Sequence, residues 1–110
     1  GEMKHGPIAL IDPQFPTFAL ALDNELFPKV KSNIQEVLAR QGRVIALVQE
    51  KDGRIPDLSV EETWVLPAAH PVISCFYALP ALQLFSYQMA DYLGKDVDQP
   101  RNLAKSVTVE

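Results

Sequence analysis

Two uninterrupted apolar runs, Thr17-Phe18-Ala19-Leu20-Ala21-Leu22 and Val44-Ile45-Ala46-Leu47-Val48, restrict this chain's folding options more than any other feature. Strands that read apolar without alternation are covered on both faces, the usual situation in a parallel sheet. Between them Leu26, Val30, Ile34, Val37 and Leu38 fall at helical spacing. Asp23 and Asn24 can cap that helix, Glu25 suits its positive end, Pro28 lies in or just past its first turn, and Gly42 is placed to end it in the left-handed region. The pattern predicts a strand over 17–22, a helix over 24–41 and a strand from 44 to about 49. Two such strands joined by a helix pair in parallel through a right-handed crossover.

The flanking segments extend this unit. Pro7 can open a short helix that Asp12-Pro13 stops. Lys51-Asp52-Gly53-Arg54 with Pro56 and Asp57 reads as a polar loop, Glu62–Pro67 as a third, shorter strand, and His70-Pro71 as the start of a helix over 71–93. That helix is apolar on more than one face, from Val72 and Ile73 to Met89, so it needs cover on several sides, and Pro80 should kink it before Gly94 stops it. Residues 95–110 form a polar tail ending in Val107-Thr108-Val109. The expected class is α/β with a three-stranded parallel sheet and flanking helices. Three strands are few for an open parallel sheet, and the chain begins on Gly1-Glu2-Met3-Lys4-His5 without a lead-in element or signal-peptide pattern. Both features suggest the second half of a domain whose first strands lie upstream.

Composition removes several classes of function. Ten Lys plus Arg against fourteen Asp plus Glu give a net charge of −4, with no basic run, which disfavours nucleic acid as a partner. The apolar stretch 71–93 is interrupted by Pro80, Gln83, Gln88 and Asp91 and reads as a buried helix rather than a membrane span. Cys75 is the single cysteine, so no internal disulfide forms and a reducing, cytoplasmic setting is the default.

Few residues could carry chemistry. His70 ahead of Pro71 fits a helix boundary better than a ligand position, Cys75 in an apolar helix reads as an inert buried thiol, and Trp64 reads as core. The two histidines lie too far apart in sequence, and without a ligand-spacing pattern, to imply a metal site. His5-Gly6-Pro7 stands apart: an imidazole just ahead of a helix start is placed for proton transfer, and Gly6 permits close approach of a ligand. Structure and function explain it about equally well. Lys105, in Arg101-Asn102-Leu103-Ala104-Lys105-Ser106, is by itself an ordinary tail lysine.

Glu2-Met3-Lys4-His5-Gly6-Pro7-Ile8-Ala9-Leu10-Ile11, Ser32-Asn33-Ile34-Gln35-Glu36-Val37 and, above all, Asp96-Val97-Asp98-Gln99-Pro100-Arg101-Asn102-Leu103-Ala104-Lys105-Ser106-Val107-Thr108-Val109-Glu110 resemble the glucosamine-6-phosphate synthases, the isomerising glutamine:fructose-6-phosphate aminotransferases. The KHGP-type motif alone would indicate only a sugar isomerase (SIS) domain, whereas the tail is specific to the synthases. The resemblance implies a partial flavodoxin-like SIS subdomain, with residues 1–94 the latter part of the second subdomain and 95–110 the tail carrying the reactive lysine. It further implies Lys105 as the Schiff-base residue, His5 as the ring-opening histidine reaching in from a neighbouring subunit, and Ala104 as a backbone contact to the sugar. Fructose 6-phosphate and glucosamine 6-phosphate are the implied ligands, a homodimer and the N-terminal glutaminase domain of the same parent chain the implied partners, with no cofactor and no metal. The family's proton-shuttling glutamate, phosphate loop and glutaminase nucleophile would lie upstream of Gly1. Two other readings compete: a non-catalytic SIS module that senses a sugar phosphate, which would not need Lys105, and a pure assembly domain with helix 71–93 as its contact surface.

Overall fold

In a computed structural model that describes residues 2–99, the two apolar runs become neighbouring parallel strands, β1 (Thr17–Ala21) and β2 (Val44–Gln49). The helix between them, α1, spans Phe27–Leu38, and β3 (Glu62–Leu66) pairs in parallel with the other edge of β2, giving the order β1-β2-β3. Helix α2 covers Pro71–Tyr92 with Pro80 inside it, and two short 3-10 turns, Glu2–His5 and Pro7–Leu10, precede the sheet. The α/β class and three-stranded parallel sheet agree with expectation. The turn at Glu2–His5 was not foreseen. Among the described residues no helix is long and apolar enough to cross a membrane.

The chain divides into two compact units, residues 1–78 and 79–110, with the division inside α2. In the first unit the core lies between α1 and one face of the sheet: Ala21, Val44, Ala46 and Val48 meet Ile34 and Val37, with Leu58 added from the stretch just before β3. Alternation explains which residues these are, because Val44, Ala46 and Val48 share one face of β2. Fully burying an aliphatic side chain of this size contributes about 1.5–3 kcal/mol. In the second unit α2 continues from Leu79 to Tyr92 and leaves Leu79, Leu84, Tyr87 and Tyr92 exposed.

The ends of α1 correct two sequence expectations. The helix is shorter than 24–41 at both ends: Asn24 sits outside it, its Oδ1 accepting the Leu26 N–H at 2.8 Å, and Asp23 pairs with Lys51 instead of capping. At the other end Gln41, not Gly42, takes the left-handed conformation, at φ 61. The Gln41 N–H bonds the Leu38 carbonyl and the Gly42 N–H the Val37 carbonyl, the paired closure typical of helix ends. Gly42 is required for space instead, since a Cβ there would lie 2.5 Å from Ile11 Cγ2 and 2.6 Å from Val37 Cγ1.

Candidate functional site

Open parallel sheets bind ligands outside the carboxyl ends of their strands, so the residues following β1, β2 and β3 are the natural place to look. After β1 comes Asp23 and after β2 Lys51, and the two pair at 2.9 Å. The hydrogen bond and charge of Asp23 raise the Lys51 ammonium above its ordinary pKa. That keeps it protonated, the opposite of what an amine nucleophile needs. After β3 the chain is fastened by Gln49, the last residue of β2 and 1% exposed. Its Nε2 donates to the carbonyls of Pro67 (3.0 Å) and Ala69 (3.3 Å), and its Oε1 accepts from Ser74 Oγ at 2.8 Å. Every polar atom of the buried amide is thereby satisfied, and the loop entering α2 is locked to the sheet. Sequence reasoning passed over Gln49 because a polar residue closing an apolar run looks like the start of a loop.

His5 lies elsewhere in the first unit, at the end of the Glu2–His5 turn, with its side chain 78% exposed. The ion pair that it makes among the described residues is to Glu2, at 3.6 Å and itself exposed. The turn is held by its neighbours in sequence: Met3 packs against the core, and Lys4 Nζ lies 3.0 Å from Glu36 Oε1 on α1. Gly6 then joins this turn to the next at φ 151, a conformation that residues with a Cβ rarely adopt. Met3, Thr17, Ala19, Val30, Asn33 and Ile34 are among the residues around a cleft of about 180 Å³ beside β1, into whose lining the unpartnered Thr17 hydroxyl falls. Its walls are chiefly apolar, and they bring together no acid, base or nucleophile.

The other singled-out residues fall as follows. His70 acts at a helix boundary, its Nδ1 accepting the Val72 N–H at 3.3 Å. Trp64 is half-buried rather than core: its ring meets Phe18 edge-on at 5.0 Å, and its Nε1 donates to Glu62. Cys75 is exposed, contrary to expectation, with Sγ 3.1 Å from the Val72 carbonyl; an apolar helix predicted a buried thiol, but α2 is not covered there. Among the described residues no group of three His, Cys, Asp or Glu side chains gathers as metal ligands would. Lys105 and Ala104 lie outside the described residues.

Comparison with known proteins supplies what this partial site cannot. No family model matches the chain. Over all 110 residues it is 54% identical to a protein of Thermus thermophilus described as glutamine–fructose-6-phosphate aminotransferase [isomerizing]. Proteins of the same description from Aquifex aeolicus and Rhizobium meliloti are each 50% identical and likewise matched along the whole chain. The chain spans 18% of the length of each of these relatives, in their C-terminal part. A solved structure, the C-terminal domain of glucosamine-fructose-6-phosphate aminotransferase from Francisella tularensis, superposes with a TM-score of 0.82 at 38% identity, covering 90% of this chain and 28% of that one.

Proposed function

We propose that the chain is the C-terminal part of the isomerase domain of an isomerising glutamine:fructose-6-phosphate aminotransferase, and that it supplies three residues of the sugar site. The observation that carries this is the sequence match itself, which spans all 110 residues and so takes in the KHGP-type motif, α1 and the tail. The parent reaction takes the amide nitrogen of glutamine and fructose 6-phosphate to glucosamine 6-phosphate and glutamate. In this reading residues 1–94 are the latter part of the second sugar isomerase subdomain and 95–110 the tail bearing the reactive lysine. The parent is a cytoplasmic homodimer whose N-terminal glutaminase domain supplies the ammonia.

Each residue's chemistry suits its role. Ring opening moves a proton from the anomeric hydroxyl to the ring oxygen, a task for an imidazole, which can both accept and donate one, and His5 is exposed enough to be presented to a neighbouring subunit. The open-chain ketose then offers a carbonyl at C2. Neutral Lys105 attacks that carbon, and loss of water leaves an imine between lysine and sugar. The backbone of Ala104, next to the lysine, contacts the sugar.

Two experiments on the full-length parent test the reading. Borohydride reduction in the presence of fructose 6-phosphate should attach the sugar to Lys105, and Lys105→Arg should abolish labelling because a guanidinium stays protonated. Labelling that persists in the Arg variant removes Lys105 from the mechanism, and absence of labelling in the unsubstituted enzyme favours the sugar-sensing alternative. Co-expressing His5→Ala and Lys105→Ala subunits tests the cross-subunit role. Half of randomly paired dimers are mixed and each restores one complete site, so activity should return to about a quarter of normal. No recovery with mixed dimers present rejects it.

A further inference from the structure

We propose that Glu36 is a positioning residue for His5, acting through Lys4; this rests on the role given to His5 above. An imidazole that serves another subunit cannot be held by side chains of that subunit until the two meet. Within its own chain the His5 ring is 78% exposed and has only the exposed Glu2 carboxylate, at 3.6 Å, as an ion-pair partner among the described residues. Its position is therefore set by the backbone of the Glu2–His5 turn. On one side that turn continues into Gly6, at a φ of 151 that gives the chain a joint rather than a brace. On the other side two consecutive residues tie it to α1. Met3 packs against the core, and Lys4 reaches Glu36 at 3.0 Å.

Glu36 is suited to act as an anchor. It stands on α1 between Ile34 and Val37, which are 3% and 2% exposed, so its backbone is as firmly held as the core. Its side chain is 24% exposed against 69% for Lys4, which makes the carboxylate the fixed partner and the ammonium the one that is captured. Met3 fixes how deep the turn sits, and a flexible thioether does so with little directional control. The Lys4–Glu36 pair supplies direction. Positioning matters here because a displacement of about 1 Å in a catalytic group can cost on the order of a hundredfold in rate.

The test uses the full-length parent enzyme. Glu36→Gln and Lys4→Met should each lower kcat by about two- to fivefold, the range expected for loss of a largely exposed ion pair. KM for fructose 6-phosphate should stay unchanged, because the proposal has the two residues act on the His5 turn and not on the sugar. The charge-swapped double variant, Lys4→Glu with Glu36→Lys, should recover most of the loss, and the single variants should lose kcat with their folded fraction unchanged, which a merely structural role would not predict. Should Glu36→Gln fail to fold, Lys4→Met removes the same pair from its exposed side. Unchanged kcat in the single variants, or a swap that does not recover it, overturns the inference while a damaged His5→Ala enzyme leaves the role of His5 standing. If His5→Ala is itself fully active, that role fails and the inference with it.

Discussion

Helix α1 carries apolar residues on one side and polar ones on the other, and it buries Ile34 and Val37 against the sheet, whereas α2 is apolar around most of its circumference yet buries only Ser74 and Ala78. Phe76 and Val72 of α2 are each 66% exposed. An amphipathic stripe is a demand for cover on one side, and the sheet beside α1 meets it. A helix apolar all round demands cover on several sides, and what is described of this chain does not provide it. The relatives, matched over only 18% of their length, have ample further sequence for that purpose. Burial in α1 is therefore met by these residues themselves, whereas the described residues leave most of α2 uncovered.

The largest expected effect follows from that contrast. In the 110-residue chain, Ile34→Ala should cost about 2–5 kcal/mol of unfolding free energy, the range for removing a packed aliphatic side chain. Phe76→Ala removes a larger side chain but should change stability by no more than about 0.5 kcal/mol, as exposed substitutions do. Denaturant titration of both variants measures the two. A loss at Phe76 approaching that at Ile34 would break the contrast by showing that α2 is covered in solution.

What could be read from the sequence divides along the same line. The strands and α1 were legible because their patterns are local: continuous apolar runs for doubly covered strands, and apolar residues at helical spacing for one buried face. The errors arose where a distant residue decides. Gly42 looks like a left-handed terminator in the sequence of α1, and it takes the packed positions of Val37 and of Ile11, some thirty positions upstream, to show that it is there for space. Cys75 was expected inside because an apolar neighbourhood in sequence was equated with one in space. Leu58 lies between the polar loop and β3, in a stretch to which the sequence pattern assigns no element, yet it joins the core. For the candidate site, His5 was legible as a motif, but the Lys4–Glu36 tie was not, since it links residues thirty-two apart without any pattern. Lys105 and Ala104 rest on resemblance, outside the described residues.

Gln49 sharpens the contrast at a polar tie that holds the start of α2. The start of that helix is held by a buried amide rather than by apolar packing. Gln49→Leu keeps the volume but takes the side-chain donor from the Pro67 and Ala69 carbonyls and leaves the Ser74 hydroxyl to the His70 carbonyl, at a cost of about 1–3 kcal/mol. Backbone hydrogen exchange should show the loss concentrated at the beginning of α2, with α1 amides protected as before. Equal loosening of α1 would mean that the amide supports the whole sheet and not the α2 entry.

The end of α1 gives two smaller changes of opposite sign. Gly42→Ala should destabilise by about 1–3 kcal/mol, because its Cβ would press on Ile11 and Val37, side chains already packed. Gln41→Gly should stabilise by about 0.5–1 kcal/mol by relieving a left-handed residue that carries a Cβ, after allowance for the more flexible unfolded chain. Thermal unfolding of the two variants decides it. A Gln41→Gly variant less stable than the parent would show that side-chain contacts of Gln41, rather than backbone strain, govern this end of the helix.

The smallest effect separates charge from burial in the first unit. Arg43, just before β2, and Glu61, just before β3, form a two-pronged pair at 2.8 and 2.7 Å that joins the entrances of the two strands. The hydrogen bond from Arg43 holds the Glu61 carboxyl below its ordinary pKa. A carboxylate depressed in the folded state contributes stability that is present above its unfolded pKa and is lost as the pH falls through the folded value. The Lys51–Asp23 pair near the opposite strand ends works in the other direction: the ammonium is raised, so its contribution is present below the ordinary lysine pKa and is lost as the pH rises through the folded one. Both pairs are exposed and open to screening, so each effect should be small and should shrink with added salt. Denaturation midpoints of the parent chain and of Glu61→Gln should therefore converge on acidification from pH 7 to pH 3, and those of the parent and Lys51→Met should converge between pH 9 and pH 11. The apolar layer under α1 does not titrate, so the stability difference between parent and Ile34→Ala should stay constant across both windows. A difference for Ile34→Ala that drifts with pH in step with that for Glu61→Gln would show that the strand entrances and the core beneath α1 do not act independently.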